Sequence, residues 1–506
     1  MTSSPPPPRS PSPSPSPGRF DFTAEVPAAS SLGSVHFIAI GGAGMSGVAR
    51  VMLAQGISVS GSDARESLVL TALAAEGAVV HIGHDVAHLD GADTVVISSA
   101  IREDNVELVQ ARSRGLTVLH RSQALASVMR GSRRVAVAGA NGKTTTTSML
   151  TVALQHCGLD PSFAIGGELA KHGTNAHHGS GDIFVAEADE SDGSFLVYRP
   201  EVAIVTSVQP DHLDFYGTFD AVQAAYVAFA ATVSADGLLV ACADDAGSRD
   251  LAEVARTTGT RVVTYGLAPD ADVRLTEVGG VGLRAHAQLV SAGQIVGRID
   301  IGLPGRHNVL NATAALVAAT EGLGQPVDRV LAGLAGFTGT RRRFEPKGEV
   351  AGVRVVDDYA HNPGKVTAVV ETASGLAAPG RLIVAFQPHL YSRTRDFAAE
   401  LAVALSPADI VIVMDVYAAR EDALPGVSGA LITDQLALLD GSARRVPESV
   451  RFVPSWSDVA PLVAELAERG DLVVTVGAGD VTMIGPEILR LLSQRGDATA
   501  AAAGPQ

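Results

Sequence analysis

The sequence predicts an α/β protein of three domains, and three observations carry that prediction. An apolar run, Val35 to Ile40, feeds a glycine-rich turn and then a helical pattern. A second such unit starts at Arg134, where Val135 to Ala138 runs into Gly139 and then Gly142-Lys143-Thr144. Beyond residue 350, four apolar runs (Val353 to Val356, Leu382 to Phe386, Ile410 to Met414, Leu472 to Val476) each end in polar residues and are separated by helical stretches. Strands alternating with helices build parallel sheets, and ligands bind beyond the C-terminal strand ends of such sheets.

The chain has 506 residues, enough for about three domains of ordinary size. Residues 1–32, rich in Pro and Ser at their start, read as a disordered tail. Residues 33–130 form a first domain, 131–337 a central one, 338–495 a third, and 496–506 a second loose tail. A net charge of −16 argues against nucleic acid as a partner, which calls for a basic face. No stretch of eighteen apolar residues is present, so no membrane span is expected. Cys157 and Cys242 lie in no metal-type cluster and read as reduced core thiols of a cytoplasmic protein, monomer or homodimer.

The first turn, Gly41-Gly42-Ala43-Gly44-Met45-Ser46-Gly47, contains the G-x-G-x-x-G spacing after a strand and before a helix. Asp63 follows at the end of the next strand, Ile57 to Ser60, about 20 residues on. This makes a Rossmann-like unit in which the turn approaches a diphosphate and Asp63 takes a ribose hydroxyl. By this window alone NAD is the default ligand. Thr94 to Ala100 is a strand ending in Ser98 and Ser99, a natural crevice. His81, His84 and His88 fit no zinc spacing and read as solvated or turn histidines.

In the central domain, Gly139-Ala140-Asn141-Gly142-Lys143-Thr144-Thr145 reads as a P-loop ATPase-like phosphate cradle, shorter than the commonest form because Val137 stands where a further glycine is usual. Loop N–H groups and the helix N-terminus face an anion, Lys143 adds a charge, and Thr144 offers a hydroxyl to Mg²⁺. The strand beginning at Asp182 ends in Glu187, Asp189, Glu190 and Asp192, carboxylates placed where such a cation needs oxygen ligands. His212 lies between carboxylates past the strand Val202 to Thr206. His307, Asn308 and Asn311 open an alanine-rich helix, where the two asparagines share a face and contact a base or ribose, or cap and pack. In the third domain Arg341-Arg342-Arg343 flanks the domain junction and suits phosphate or carboxylate contacts. That domain has a second Rossmann-like pattern without the glycine fingerprint, so no dinucleotide of its own is expected.

Taken together, these stretches resemble the Mur ligases. The matching residues are Ile40 to Gly47, Ser98 to Ile101, Gly142 to Ser148, Glu187 to Phe195, Asp211 to Asp214, Leu303 to Asn311, Arg342 to Phe344, Asp358 to His361, Phe386 to His389 and Gly477 to Asp480, in family order. The resemblance implies an ATP- and Mg²⁺-dependent amide ligase joining L-alanine to the carboxylate of UDP-N-acetylmuramate through an acyl phosphate. It reassigns the first turn from NAD to UDP, with Gly42, Ala43, Gly44, Met45, Ser46, Asp63, Ser98 and Ser99 on the sugar nucleotide. It implies ATP contacts for Gly139 to Thr145, His307, Asn308, Asn311 and Arg343. It gives metal contacts to Thr144, Glu187 and His212, and catalytic parts to Lys143, Glu187, His212, Arg343 and His361. His361, His389 and Arg393 fall near the amino acid or the muramate carboxylate.

The chain departs from the family pattern at Ala140-Asn141, at Asn362 after His361, at Gly364-Lys365 in place of Thr-Glu, and at Leu390, where an arginine is usual. A leucine makes no ion pair with a carboxylate, and Arg393 or Arg395 is the substitute at hand. Three rival readings stand beside this one. A related ligase would add another amino acid or a recycled peptide to the same sugar nucleotide. An NAD-dependent dehydrogenase fused to an ATPase would leave the third domain unexplained. A non-catalytic nucleotide sensor would not need Lys143, Thr144, Glu187 and His212 intact.

Overall fold

Short runs of Val, Ile and Ala bounded by glycine form three separate sheets in the computed structural model, which describes residues 19–170, 173–419, 421–439 and 445–503, side chains at 214 and 496–503 excepted. The first sheet comprises β1 (Val35–Ile38), β2 (Val59–Asp63), β3 (Val79–Ile82), β4 (Thr94–Ile97) and β5 (Thr117–His120). They are parallel, in the order β3-β2-β1-β4-β5. β1 is two residues shorter than the apolar run suggests, because Ala39 turns to a φ of +63° at the entry to the glycine turn.

The central sheet has ten strands: β6 (Arg133–Ala138), β7 (Ser162–Ala164), β8 (Ala176–His177), β9 (Ile183–Glu187), β10 (Val202–Val205), β11 (Leu238–Cys242), β12 (Arg261–Gly266), β13 (Val273–Val281), β14 (Arg284–Ser291) and β15 (Gln294–Ile301). β6 lies between β10 and β9, parallel to both, so the strands carrying the phosphate loop and the acids end side by side. β13, β14 and β15 form an antiparallel meander at one edge. The meander was not foreseen, since its alternating strands carry no glycine fingerprint or strand-end polar cluster. The third sheet, β16 (Glu345–Val350), β17 (Val353–Asp358), β18 (Leu382–Phe386), β19 (Ile410–Val413), β20 (Ser449–Phe452) and β21 (Leu472–Val476), runs in the order β16-β17-β21-β18-β19-β20. Only β16, at its edge, is antiparallel.

Both expected tails require correction. Residues 1–18 and 504–506 lie outside the described residues, but 19–32 run along the first domain and contact it at several points. The rings of Phe20 and Phe22 lie 5.3 and 5.2 Å from that of His120, and Arg19 donates to the Ile101 carbonyl at 2.6 Å. Two aromatics outweigh the Pro/Ser composition before them. At the other end the helix Ile484–Ala503 continues through the expected tail, as alanine's high helix propensity favours.

The histidines of the first domain also require correction. His84 Nδ1 and His88 Nδ1 lie 3.0 and 2.9 Å from the carboxylate of Glu107, which is fully buried. Ser62 donates to the same carboxylate at 2.6 Å, and His36 Nε2 lies 3.7 Å away. Burial alone would raise Glu107, but His36, Ser62 and His88 outweigh it and hold the carboxyl down at about 2, against an ordinary 4.5. A carboxyl held down contributes stability above its unfolded value and loses it as pH falls toward the folded one. Glu107→Ala, which strands the imidazoles around a buried void, is expected to cost about 3 kcal/mol at pH 7. Urea denaturation should show that the gap to wild type narrows as pH falls from 4.5 toward 2.

Candidate active site

The phosphate loop owes its shape to two glycines. Gly139 has a φ of +137°, and a Cβ there would stand 2.0 Å from Thr206 Oγ1. Gly142, with a φ of +86°, caps the helix Lys143–His156, and a Cβ there would stand 2.5 Å from Asn311 Oδ1. The loop is thus clasped between the end of β10 and the helix Arg306–Val317. Asn141 N–H donates to Ser207 Oγ at 3.1 Å, and the Asn141 amide donates to Gln209 Oε1 at 3.0 Å. Within the helix Arg306–Val317, Asn308 donates to the Pro304 carbonyl at 2.7 Å and so fixes the helix start. Burial pushes His307 down to about 4, which keeps its imidazole neutral.

Lys143 Nζ donates to Glu190 Oε1 at 2.8 Å and to its own loop's Gly139 carbonyl at 2.7 Å. Burial opposes the lysine's charge, but Glu190, Asp189 and Glu187 together outweigh it and hold Lys143 above its ordinary value. The other Glu190 oxygen, Oε2, is buried with no partner. Thr144 Oγ1 donates to Glu187 Oε1 at 3.0 Å, and Gly166 N–H donates to Glu187 Oε2 at 2.7 Å. His212 lies in ion-pair range of Glu190 (3.7 Å) and Asp211 (3.9 Å). The expected metal set therefore divides into Thr144 with Glu187 and His212 with Glu190. Among the described residues no group of three His, Cys, Asp or Glu side chains is arranged to hold a metal by itself. That donor set suits Mg²⁺, which commonly takes one or two carboxylates and leaves its other positions to water and phosphate oxygens. The unpartnered Glu190 oxygen fits the same need.

The third domain enters through the segment 340–344. Arg342 and Phe344 take φ values of +59° and +49°, and between them Arg343 Nη2 reaches Thr144 Oγ1 at 3.2 Å. The other arginines of the triplet point elsewhere: Arg341 pairs with exposed Glu168, and Arg342 donates to the Gly477 carbonyl. Asn362 donates to Asp211 Oδ2 at 3.1 Å, and Arg393 lies 3.9 Å from Asp211 Oδ1. His361, driven well below its ordinary value by burial, faces His389 with ring centres 5.5 Å apart. Arg393 Nη1 stands 3.5 Å from His389 Nδ1, whereas Arg395 is exposed and paired with Asp396. Of the two candidates to replace an arginine at Leu390, only Arg393 faces this cluster. Sequence reasoning missed Lys365, which burial and the neighbouring charge of Lys143 push down to about 8.

The first domain meets the same acidic turn. Asp63 does not project freely from its strand, because its Oδ2 accepts from Gly41 N–H at 2.9 Å and so braces the glycine turn. Ser99 donates to Asp192 and lies 3.1 Å from His120 Nε2. The Ser98 hydroxyl makes no hydrogen bond among the described residues. Met45 and Ser46 are buried in the first turn of the helix Ala43–Ala54. A Cβ on Gly44 would touch Arg121 Nη1 at 2.5 Å, and Arg121 Nη2 reaches Asp189 at 3.2 Å. Arg121 thus links the glycine turn to the acids after β9, and Asn175 donates to the Ala43 carbonyl at 2.7 Å from the central domain. Neither stood out in the sequence, since each is a single polar residue outside any motif.

Three family models match in succession: "Mur ligase family, catalytic domain" over 34–133, "Mur ligase middle domain" over 137–319 and "Mur ligase, glutamate ligase domain" over 342–479. A UDP-N-acetylmuramate–L-alanine ligase of Saccharopolyspora erythraea is 53% identical over 92% of this chain and 94% of its own length. One from Renibacterium salmoninarum is 54% identical over 92% and 97%. Among solved structures, a UDP-N-acetylmuramate–alanine ligase from Thermotoga maritima superposes with a TM-score of 0.75 at 27% identity, covering 92% of this chain and 99% of its own. A murein peptide ligase from Psychrobacter arcticus gives a TM-score of 0.67 at 25% identity, over 91% and 98%.

Gly142→Ala is expected to place about 1–3 kcal/mol of backbone strain in the loop. Calorimetric titration with ATP should show binding weakened by at least about tenfold, while circular dichroism of the variant stays that of wild type.

Proposed function

The chain belongs to the Mur ligase family, and we propose that it joins L-alanine to the carboxylate of UDP-N-acetylmuramate at the expense of ATP, in cytoplasmic peptidoglycan precursor synthesis. The observation that carries this reading is the contact from third-domain Arg343 to Thr144 in the phosphate loop, 3.2 Å long, with Arg121 of the first domain on the adjoining acids. Three domains bring cations to one site. A reaction in which three substrates carry anions to one point needs that arrangement.

A carboxylate is a poor acyl donor because oxide would have to leave. In the first step a carboxylate oxygen attacks the γ-phosphorus of ATP, and the bond to the bridging oxygen breaks with its electrons going to ADP. The amine of alanine then attacks the acyl carbon, the tetrahedral adduct expels phosphate, and the amine's spare proton is lost. Lys143, once drawn from Glu190, and Arg343 neutralise the phosphoryl oxygens as charge shifts between them; such positioning and charge stabilisation supply most of the catalysis. Thr144 and Glu187 would hold one Mg²⁺, and His212, joined by Glu190, would help hold a second. When bound, the cation draws charge from the phosphoryl oxygens. Arg393 anchors the alanine carboxylate in place of an arginine at position 390. Neutral His361 lines the acceptor pocket beside it. The glycine turn at Gly42 to Ser46, with Asp63 bracing it and Arg121 behind Gly44, receives the UDP diphosphate, and Ser98 and Ser99 line the same crevice. Closure of the third domain about residues 340–344 excludes water, which would otherwise hydrolyse the acyl phosphate.

ADP release should require ATP, Mg²⁺, UDP-N-acetylmuramate and L-alanine together. Release with glycine, serine or a short peptide but not alanine would transfer the chemistry to another acceptor, and silence with all of them would sink the ligase. Lys143→Ala should abolish turnover while calorimetry still detects UDP-N-acetylmuramate binding.

A further inference from the structure

Lys365 stands in the first turn of the helix Pro363–Ala377, two residues past Pro363, and its N–H donates to the cap Asn362 Oδ1 at 2.9 Å. The helix start is pressed against the phosphate loop. A Cβ on Gly364 would lie 3.7 Å from the Asn141 amide and 3.9 Å from Gln209 Oε1, and Asn362 donates to Asp211. The lysine side chain is partly buried there, where the charges of Lys143 and Arg343 oppose its ammonium and those of Asp211 and Glu190 favour it.

The other cations of the site have partners. Lys143 holds Glu190, Arg343 holds Thr144, and Arg393 approaches Asp211 and His389. Lys365 has neither a hydrogen bond nor an ion pair from its ammonium among the described residues. A charge withdrawn from water without a partner is costly, and it persists where an anion that arrives in use offsets the cost. Two other cations, Lys143 and Arg343, draw on the same carboxylates, so further negative charge is favoured at this point.

We propose that Lys365 is a catalytic residue of the ligation, its ammonium donating to the phosphoryl group as that group passes from ATP to the carboxylate and then leaves. This deepens the ligase reading and rests on it. Lys365 keeps its proton throughout. Its task is to stabilise charge beside Lys143, so that the moving phosphoryl meets a lysine from each of two domains. Because Lys365 rides on the third domain, its contact forms only when that domain is seated, and commits closure to chemistry rather than to binding.

The test is steady-state ADP release by the full-length protein with ATP, Mg²⁺, UDP-N-acetylmuramate and L-alanine, comparing wild type with Lys365→Gln and Lys365→Arg. Removing one donor to a developing anion lowers turnover by about 100-fold. Lys365→Gln is therefore expected to lose about that factor in kcat, with the KM for L-alanine little changed and the thermal midpoint held. Lys365→Arg, which restores the charge, should recover most of the rate. A Lys365→Gln enzyme with wild-type kcat overturns the proposal. So does a loss confined to the KM for L-alanine, or an equal loss in both variants accompanied by a lowered thermal midpoint. Wild-type protein that releases no ADP overturns the ligase reading and this inference with it, whereas active wild type beside active Lys365→Gln removes the inference alone.

Discussion

Charge matching in a crevice shielded from water governs this structure. Lys143 and Glu190 are both nearly buried, and each is tolerable there because the other lies 2.8 Å away. In a low-dielectric crevice an unmatched charge is far more costly than at the surface. That single pair fixes where β6 and β9 end relative to one another, since the lysine springs from the loop after one and the glutamate from the turn after the other. Thr144 and Glu187 repeat the arrangement one step along the same strand ends. An arriving polyphosphate competes for cations the protein has already placed, which is why the loop is ordered around its own carboxylates.

The same constraint explains how three sheets come to share one site. The acids after β9 have more charge than Lys143 can match, and Arg121 from the first domain makes up part of the difference at Asp189. Burial would raise that carboxyl, but Arg121 and Lys143 outweigh it and hold it well below the usual carboxylate range. Asp211 draws Asn362 and Arg393 from the third domain in the same way. One apolar core runs from the first domain into the central one, whereas the third domain keeps its own cores and meets the others through polar contacts, the kind of interface that permits it to move against them. The left-handed backbone at Arg342 and Phe344, either side of Arg343, places the strained joint where a domain pivot is wanted.

The third-domain wall of the crevice is built differently. His361, His389 and Tyr417 lie in succession, with ring centres 5.5 and 6.0 Å apart. Leu390, buried and at a φ of +71°, is a packing residue, and the guanidinium facing this cluster comes from Arg393, one position before Thr394 in the first turn of the helix Tyr391–Leu405.

The sequence by itself determined the parts whose physics is local. Glycines at Gly42, Gly44, Gly139 and Gly142 announced two tight turns at strand ends, and at Gly139 and Gly142 the close approaches and positive φ values admit only glycine. Apolar runs ending in polar residues announced parallel sheets with crevices at their strand ends. The order of those motifs carried the family. What only the tertiary structure decided is which side chains meet across domains: Arg343 but not Arg341 or Arg342 on the phosphate loop, Arg393 but not Arg395 beside His389 and Asp211, Arg121 behind Gly44, and the helix start that carries Lys365 against the phosphate loop. It also gathered His36, His84 and His88 around Glu107, and drew Phe20 and Phe22 out of an apparent tail. None of these has a local signature. An arginine, a lysine or a histidine is written the same way whether it faces solvent or a buried carboxylate, and only the fold sets which one it faces.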